Sequence, residues 1–322
     1  MSSGGILSAR RALGVAVAAL GLWALVIVFR SPPPPPLPRT FTSSQQCQSC
    51  HAEAFAEWSA SWHAQAWTDP EVRALSNDFA NTDCIDCHAP RPVFETGVGQ
   101  RVLPRSARRS EGVDCIACHL LPETAPEARR GAIVAGTIDD DTAPCRPAAV
   151  RDLGSPDYCA TCHDQHQTVQ QWRESKWAAQ GMNCVSCHMP HRGGDPSRGR
   201  DHTMHGGHDI ELVKSAVVLR GRREGDRWVA EVENVGAGHS FPTDERSRAA
   251  DVFWRPLQTA EAGHPAPWRH LHRFRDPYRH EVDLVSTLLP AHATNVRVGR
   301  RLRRAEQCAG NEQPHETGLA AH

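Results

Sequence analysis

The 322-residue sequence predicts three parts: an N-terminal transmembrane helix, a mostly α or irregular region with little regular structure, and a small β-sandwich-like domain. Three observations carry this prediction. An apolar run opens the chain, five copies of one cysteine and histidine motif fill its middle, and β-rich sequence follows them. We expect an anchor over residues 1–30, a spacer over 31–40, the motif-bearing domain over 41–208, the β-rich domain over 209–300 and a disordered tail over 301–322.

The first forty residues are typical of a membrane anchor followed by a stiff spacer. Ala12 to Phe29 is an apolar run just long enough to span a bilayer as a helix, with Arg10 and Arg11 before it. No small-x-small cleavage site follows, which favours an uncleaved anchor over a signal peptide. Pro32 to Pro36 predicts a polyproline II spacer. We therefore expect a single span in a bacterial-type inner membrane, with the rest of the chain in the periplasm.

Five identical Cys-x-x-Cys-His units dominate the middle of the chain. They are Cys47-x-x-Cys50-His51, Cys84-x-x-Cys87-His88, Cys115-x-x-Cys118-His119, Cys159-x-x-Cys162-His163 and Cys184-x-x-Cys187-His188. Zinc knuckles would come in pairs, and a thioredoxin-like dithiol has no reason to recur with a histidine each time. Haem c requires every part, because two thiolates reach two vinyl groups and the next imidazole binds the iron. The sequence predicts five covalently attached haem c groups with these histidines as proximal ligands.

The composition of residues 40–208 supports the same prediction. Leu, Ile, Val and Phe together fall well below the level of about 20% under which a charged chain is usually disordered. Five porphyrins are large apolar bodies that can replace the missing aliphatic core. The net charge of −1 gives no indication of a nucleic-acid partner.

Two helical stretches, HAEAFAEWSASWHAQAW at 51–67 and VQQWRESKWAAQ at 169–180, look like an internal repeat. Both contain Trp-x-x-Ser, but the second copy has Trp177 where the first has His63. We interpret the tryptophans as packing against porphyrin. Segments 89–112 and 121–157, which are rich in turn-forming residues, are predicted to be loops.

The sequence changes character after residue 209. AVVLRGRREGDRWVAEVENVG at 216–236 predicts two strands around a turn at Gly225. EVDLVSTLLPAHATNVRVG at 281–299 predicts another pair, broken at Pro290. The two cysteines outside the motifs, Cys145 and Cys308, are interpreted as unpaired thiols rather than a disulfide.

The second axial position of each iron separates an electron carrier from a catalyst. The chain has 19 histidines and only four methionines, so bis-histidine ligation is the expected state. The candidates are the non-motif histidines near the motif-bearing domain: His63, His166, His191, His202, His205, His208 and His239. The cluster DHTMHGGH at 201–208 is the densest of them.

The stretches WSASWH, CIDCHAP, EGVDCIACH, CVSCHMP, HTMHGGH and NVGAGHSFPT resemble the multihaem cytochromes related to cytochrome c-554. That family consists of periplasmic or cell-surface electron-transfer proteins with closely stacked, mostly bis-histidine haems. The resemblance implies four distal ligands: His63, His202, His208 and His239. The fifth is assigned to His166, with His191 or His205 as substitutes.

These features predict a membrane-anchored relay that passes electrons between a membrane-side donor and a periplasmic or extracellular acceptor, through partner proteins of unknown identity. One alternative is a multihaem reductase or oxidase of a small nitrogen or sulfur compound at one open haem. Another is a NapC/NirT-type quinol dehydrogenase, which the proline spacer disfavours. The pentahaem nitrite reductases replace one motif histidine by lysine, and none of the five units here does so.

Overall fold

The computed structural model describes residues 41–165, 167–225, 227–243, 248–256, 267–278, 281–291, 296–301 and 315–321. The predicted anchor and spacer, and also His166 and Cys308, lie outside these ranges. Within them, no helix is both long enough and apolar enough to cross a bilayer. Residues 40–322 group into one unit, so the predicted motif-bearing and β-rich regions form a single body.

Residues 41–216 form short helices joined by turns. They are α1 (Ala52–Ser59), α2 (Trp62–Gln65), α3 (Pro70–Leu75), α4 (Asp83–His88), α5 (Val93–Thr96), α6 (Cys115–His119), α7 (Pro126–Arg129), α8 (Pro156–Ala160), α9 (Thr168–Arg173), α10 (Lys176–Ala179), α11 (Cys184–His188) and α12 (Ile210–Ala216). Turns of 3-10 helix cover Ser44–Cys47, Arg109–Glu111, Arg192–Gly194 and Pro196–Arg198. Proline at the first turn and side-chain caps begin several of these helices, as at Asp69 and Pro70 for α3.

Two tryptophans anchor two copies of the same helix pair. Trp58 of α1 donates its indole hydrogen bond to Val113 O at 2.8 Å, and Trp172 of α9 donates to Met182 O at 2.9 Å. Each acceptor lies two residues before the first cysteine of a motif helix, α6 or α11. The internal repeat predicted from sequence is therefore present as matching hydrogen bonds.

The residues that differ between the copies make the same backbone contact. His63 O accepts from Val113 N at 2.8 Å, and Trp177 O accepts from Met182 N at 3.0 Å. A glycine with positive φ precedes each donor residue, Gly112 before Val113 and Gly181 before Met182; at Gly112, with φ +59°, a Cβ would lie 2.3 Å from His63 O. Only the side chain at position 63 or 177 changes, from imidazole to indole.

The β-rich region contains two three-stranded sheets. The strands are β3 (Val217–Glu224), β4 (Arg227–Asn234), β5 (Ala249–Pro256), β6 (Arg269–Arg275), β7 (Val296–Arg301) and β8 (His315–Ala321), after the short parallel pair β1 (Val134–Gly136) and β2 (Pro147–Ala149). The strand orders are β3-β4-β7 and β6-β5-β8, and every pairing in them is antiparallel. The predicted hairpin at 216–236 is confirmed, with Val217 opposite Asn234.

The aliphatic core is concentrated in the β-rich region. A cluster of nine buried residues joins the two sheets: Val213, Val217, Ala230, Val232, Phe241, Ala250, Val252, Phe274 and Leu289. In the motif-bearing region the two buried clusters contain three residues each, Phe79, Ile85, Ala89 and Val93, Val102, Tyr158. The small buried apolar clusters of residues 41–208 agree with the low content of Leu, Ile, Val and Phe in that segment.

The structure corrects three sequence predictions. The segment 281–291 contains only an isolated bridge at Leu289, so the second strand pair reduces to β7. The tail over 301–322 is not wholly disordered, because β8 pairs with β5 along residues 315–321. The predicted loops contain α5, α7, β1 and β2, whose short lengths give too little periodicity to detect.

Candidate haem-binding sites

The motif units share one local geometry. Helices α4, α6 and α11 each contain a complete Cys-x-x-Cys-His unit, while the fourth unit begins in α8. In the first and fourth units, the histidine amide hydrogen-bonds the first cysteine carbonyl, His51 N to Cys47 O and His163 N to Cys159 O, both at 2.9 Å. One helical turn therefore places both thiols and the imidazole together, as covalent haem attachment requires.

Five of the ligand candidates have Nδ1 fixed by a backbone carbonyl. The pairs are His88 with Ala66 O at 2.6 Å, His119 with Ala135 O at 2.8 Å, His188 with His205 O at 2.6 Å, His202 with Arg200 O at 2.8 Å and His239 with Ser240 O at 2.9 Å. A carbonyl only accepts, so Nδ1 must carry the proton. The Nε2 lone pair is then directed away from the backbone and can bind a metal.

Three motif histidines face a second imidazole. The ring centroids of His63 and His163 are 5.9 Å apart, those of His119 and His202 are 6.4 Å apart, and those of His188 and His239 are 6.2 Å apart. Two imidazoles on opposite sides of one metal, with metal–nitrogen bonds of about 2 Å, have centroids roughly 6 Å apart. The observed separations fit an iron between each pair.

Burial keeps four of these six imidazoles neutral. It lowers the pKa of His63 to about 3, with further lowering from His163. Burial also lowers the pKa of His119, His188 and His202. Neutral imidazole is the form that binds iron, so these rings are ready ligands at neutral pH. Nδ1 of His63 is buried without a hydrogen-bond partner, as is Nδ1 of His191.

The first two motif histidines have different surroundings. In the described residues, no imidazole ring packs against His51 or His88. The ring neighbour of His88 is Phe79, with centroids 5.8 Å apart, and Phe79 stacks on Trp67 at 4.0 Å. The residues described here therefore assign no second axial ligand to either unit.

The remaining distal candidates are placed as follows. His208 contacts Trp62, with ring centroids 5.9 Å apart, rather than a motif histidine. His205 uses both ring nitrogens on carboxylates, Nδ1 on Asp209 at 2.5 Å and Nε2 on Asp201 at 3.3 Å. Burial alone would lower the pKa of His205, but these hydrogen bonds raise it. With no free nitrogen, His205 does not suit the ligand role for which it was a substitute.

His239 is positioned by contacts between the β-rich region and the helices. Its carbonyl accepts from the Asn234 side chain at 2.9 Å, at the end of β4. The next residue, Ser240, donates its amide to Gln171 Oε1 of α9 at 2.8 Å. The loop after β4 is thus held from both sides, and it carries His239 to the ring of His188.

Cysteine contacts join the units. Three cysteine pairs, each from two different units, lie close enough to shift one another's pKa, and they link the first unit to the third, the second to the fourth and the fourth to the fifth: Cys47 with Cys115, Cys87 with Cys162, and Cys159 with Cys184. Tyr158, which precedes the fourth unit, donates its hydroxyl to Cys118 O of the third at 2.5 Å. The five units therefore form one connected set.

A buried ion pair supports the third unit. The Asp114 side chain caps α6 by accepting from Ala117 N at 2.7 Å, and it also accepts from Arg108 Nε at 2.8 Å. Arg105 lies 3.6 Å from the same carboxylate. Burial raises the pKa of Asp114 and lowers that of Arg105, which records the desolvation cost of placing both charges here.

Sequence reasoning missed Asp114, Tyr158 and Glu57, which contact ligand-bearing segments. Asp114 carries a local signal, since a helix-capping residue stands just before the first cysteine, as Asn183 does before Cys184. Tyr158 and Glu57 act across 40 and 145 residues of chain, and no local pattern marks such contacts.

Comparison with known proteins agrees with this geometry. Residues 46–120, which include the first three units, match the family described as cytochrome c554 and c-prime. A solved structure of a penta-haem cytochrome c552 from Thermochromatium tepidum superposes with a TM-score of 0.53 at 21% identity, covering 87% of this chain and 86% of that one. No curated protein matches the chain.

The fold, the five motif units and the facing imidazoles define a multihaem c-type cytochrome. More particularly, its first three units resemble the cytochrome c554 family, and ten motif cysteines provide for five covalently bound haem c groups.

Proposed function

We propose that this multihaem cytochrome is an electron relay. The carrying observation is that all five motif units adjoin one another: cysteines of different units lie close enough to shift one another's pKa, and the Tyr158 hydroxyl beside the fourth unit donates to Cys118 O of the third. Haem c supplies a one-electron iron couple when it is bound. The cysteines fix that group by its edge, so neighbouring sulfur atoms bring neighbouring edges close. Electrons can then cross the protein without a diffusing carrier.

We further propose that three irons are bis-histidine, through the pairs His63 with His163, His119 with His202, and His188 with His239. Ring separations of 5.9 to 6.4 Å support these assignments. Two neutral imidazoles leave no open coordination position, which suits electron transfer rather than substrate binding. His166 and His208 stay predicted ligands for the other two irons, with His191, whose buried Nδ1 has no partner, as the substitute.

The proposed setting is the periplasmic side of a bacterial-type inner membrane, with residues 1–30 as anchor. The apolar run from Ala12 to Phe29 supports it, as does haem c, which is assembled on exported chains. The electron donor would then lie at the membrane, either a redox protein or quinol, and the acceptor would be a periplasmic or extracellular protein.

Rapid mixing of oxidised protein with one electron equivalent per chain tests the relay. We expect five haems per chain by pyridine haemochrome assay and a single fast phase of redistribution, because no unit is isolated. A second, slow phase assigned to one haem would contradict a continuous path.

Carbon monoxide binding to the reduced protein tests the three ligand pairs, because the gas needs an open iron. We expect His63→Ala, His202→Ala and His239→Ala each to add one binding haem per chain relative to the unchanged protein. His270→Ala, in β6 and bonded to Asp251, is the control and should add none. A distal variant that adds none would refute its pair.

A second candidate function is a reductase of a small nitrogen or sulfur compound at an open haem. The observation favouring it is the surroundings of His88, whose ring neighbour is the phenyl group of Phe79. Apolar side chains beside an iron with a vacant coordination position would leave room for a small ligand. They contain no group that could bind the iron in its place. A high-spin signal in the oxidised protein, with turnover of nitrite, hydroxylamine or a sulfur oxyanion by the reduced protein, would favour this candidate. An entirely low-spin protein would exclude it.

A further inference from the structure

Glu57 lies at the junction of two motif units without belonging to either. It is on α1, the helix that begins directly after His51, the proximal histidine of the first unit. Its side chain reaches the segment 191–202, which carries His202 opposite His119 of the third unit. The two partners are separated by 145 residues of sequence, so this contact is purely tertiary.

Both oxygens of the Glu57 carboxylate are used. Oε1 accepts from Arg192 Nε at 2.7 Å and Oε2 from Arg192 Nη2 at 2.6 Å, a bidentate ion pair. Oε2 also accepts the backbone amide of His202 at 2.9 Å. The side chains of Glu57 and Arg192 are only 19% and 11% exposed, so water competes weakly for these bonds.

Arg192 also contacts a later residue of the segment 191–202. It donates a third guanidinium hydrogen bond, from Nη1 to Arg198 O at 2.7 Å, which closes the turn between them. The hydrogen bonds from Arg192 lower the pKa of Glu57, so the carboxylate stays charged. The ion pair therefore braces the turn that precedes His202 as well as the residue itself.

His202 is held at two points, its imidazole ring and its backbone amide. Its Nδ1 donates to Arg200 O at 2.8 Å, which sets the ring orientation, and its amide is held by Glu57. Without Glu57 the amide loses its acceptor and Arg192 loses its bidentate partner, keeping only the longer contact with Glu53 at 3.6 Å. A loss of this kind would free the segment to swing away from His119.

We propose that Glu57 is a positioning residue that holds His202 against the iron of the third unit and ties that ligand to the helix of the first. The proposal rests on the assignment of His202 as a distal ligand. It implies that the axial bond of the third iron depends on a side chain that binds no metal.

The test compares Glu57→Ala, Glu57→Gln and Glu53→Gln. Glu53 is the matched control, because it lies one turn earlier on α1 and meets the same arginine at 3.6 Å, but does not contact His202. We expect Glu57→Ala to add one carbon-monoxide-binding haem per chain and to lose one low-spin signal. Excess imidazole should restore that signal. Glu57→Gln, which retains an acceptor for the amide but loses the charge that holds Arg192, should show a detectable effect smaller than half of this, and Glu53→Gln none.

The outcomes separate this proposal from the ligand assignment. If His202→Ala adds a binding haem but Glu57→Ala adds none, Glu57 is not a positioning residue, although the pair stands. If neither adds one, the His119 and His202 pair is wrong. Haem content and circular dichroism show whether Glu57→Ala folds. If it does not, an unchanged low-spin spectrum and unchanged gas binding in Glu57→Gln would overturn the proposal.

Discussion

The Asp114 carboxylate has two roles in the third motif unit. It caps the helix that carries Cys115, Cys118 and His119, and it balances the buried guanidinium of Arg105. Arg105 in turn donates to Pro90 O at 2.7 Å and Gly112 O at 2.6 Å, just outside the second and third units. A buried pair of this kind does more to fix an arrangement than to stabilise it.

Removing the Asp114 charge should nevertheless destabilise the fold sharply, because it leaves a buried charge uncompensated. We expect Asp114→Ala to lower the free energy of unfolding by about 4 kcal/mol, because Arg105 is left buried without its counter-charge. Asp114→Asn, which keeps the cap, should cost about 2 kcal/mol. Denaturant unfolding followed by tryptophan fluorescence measures both.

Asn183 provides the internal control for this prediction. It occupies the same capping position before α11. Asn183→Asp should change stability by less than about 1 kcal/mol, since a carboxylate is also favourable at a helix N-terminus. Equal losses from Asp114→Asn and Asp114→Ala would show that the charge, and not the cap, is what matters.

At the residue scale, the sequence was sufficient to name the functional residues wherever these lie within a few consecutive positions of the chain. All ten cysteines and five histidines of the units could be named, because each unit is five consecutive residues. His63, His202 and His239 came from a family resemblance and are each placed opposite a motif histidine. Glu57 and His205 could not have been assigned, since their roles depend on which distant segments meet. His205 even sits in the richest histidine cluster, yet two carboxylates occupy its nitrogens.

At the scale of elements, the loop after β4 connects the β-rich region to the fifth motif unit. Gly236 lies against α12, where a Cβ would be 2.1 Å from Ser215 O and 2.9 Å from Ser215 C. Backbone atoms cannot yield as a flexible side chain would. The loop can therefore follow this path, and deliver His239 to His188, only with glycine at that position.

Gly236→Ala should displace His239. We expect one additional carbon-monoxide-binding haem per chain and a loss of about 2 kcal/mol or more in unfolding free energy, from the enforced shift of packed backbone. Gly207→Ala, where a Cβ would meet nothing within 4 Å, is the matched control. A Gly236→Ala protein with unchanged gas binding would show that the loop tolerates the shift without moving its histidine.

A helix or strand could be predicted from the sequence where its apolar residues follow a regular spacing and turn residues mark its ends. β3 and β4 were found because apolar alternation and a turn at Gly225 mark them. β6 was missed because its sequence, RHLHRFR, hides apolar positions among charged and polar residues. The strand pair expected at 281–299 was half wrong, because the apolar residues before Pro290 are largely exposed, with Val282 and Val285 each at 83%.

At the scale of the whole molecule, the two regions differ in what fills them. Nine buried apolar residues join the sheets, whereas the motif-bearing region has two clusters of three. Aliphatic burial of that small extent contributes too little to offset the ordering of some 170 residues, at about 1.5 kcal/mol each. The porphyrins must complete the interior there.

Expression of the full chain without haem attachment should separate the regions. We expect amide hydrogen exchange to reach the unfolded rate over residues 41–208, because their core is missing. Protection should persist in β3, β4 and β5, which bury their own apolar cluster. Mass-spectrometric exchange at peptide resolution measures this, and protection of α6 or α11 in the haem-free chain would contradict it.

The matching helix pairs imply a simple rule for lengthening this molecule. In the first copy, the side chain at position 63 is an imidazole, and its ring centroid lies 5.9 Å from that of His163 in the fourth unit. In the second copy, the equivalent Trp177 meets Gly238, whose added Cβ would lie 3.4 Å from its Cδ1. The indole thus packs beside the loop after β4, where the first copy has a ligand candidate. If further motif units were inserted after residue 188, Trp177→His would supply a distal ligand for one of the added haems. Without such an insertion, a histidine at position 177 would have no iron to bind.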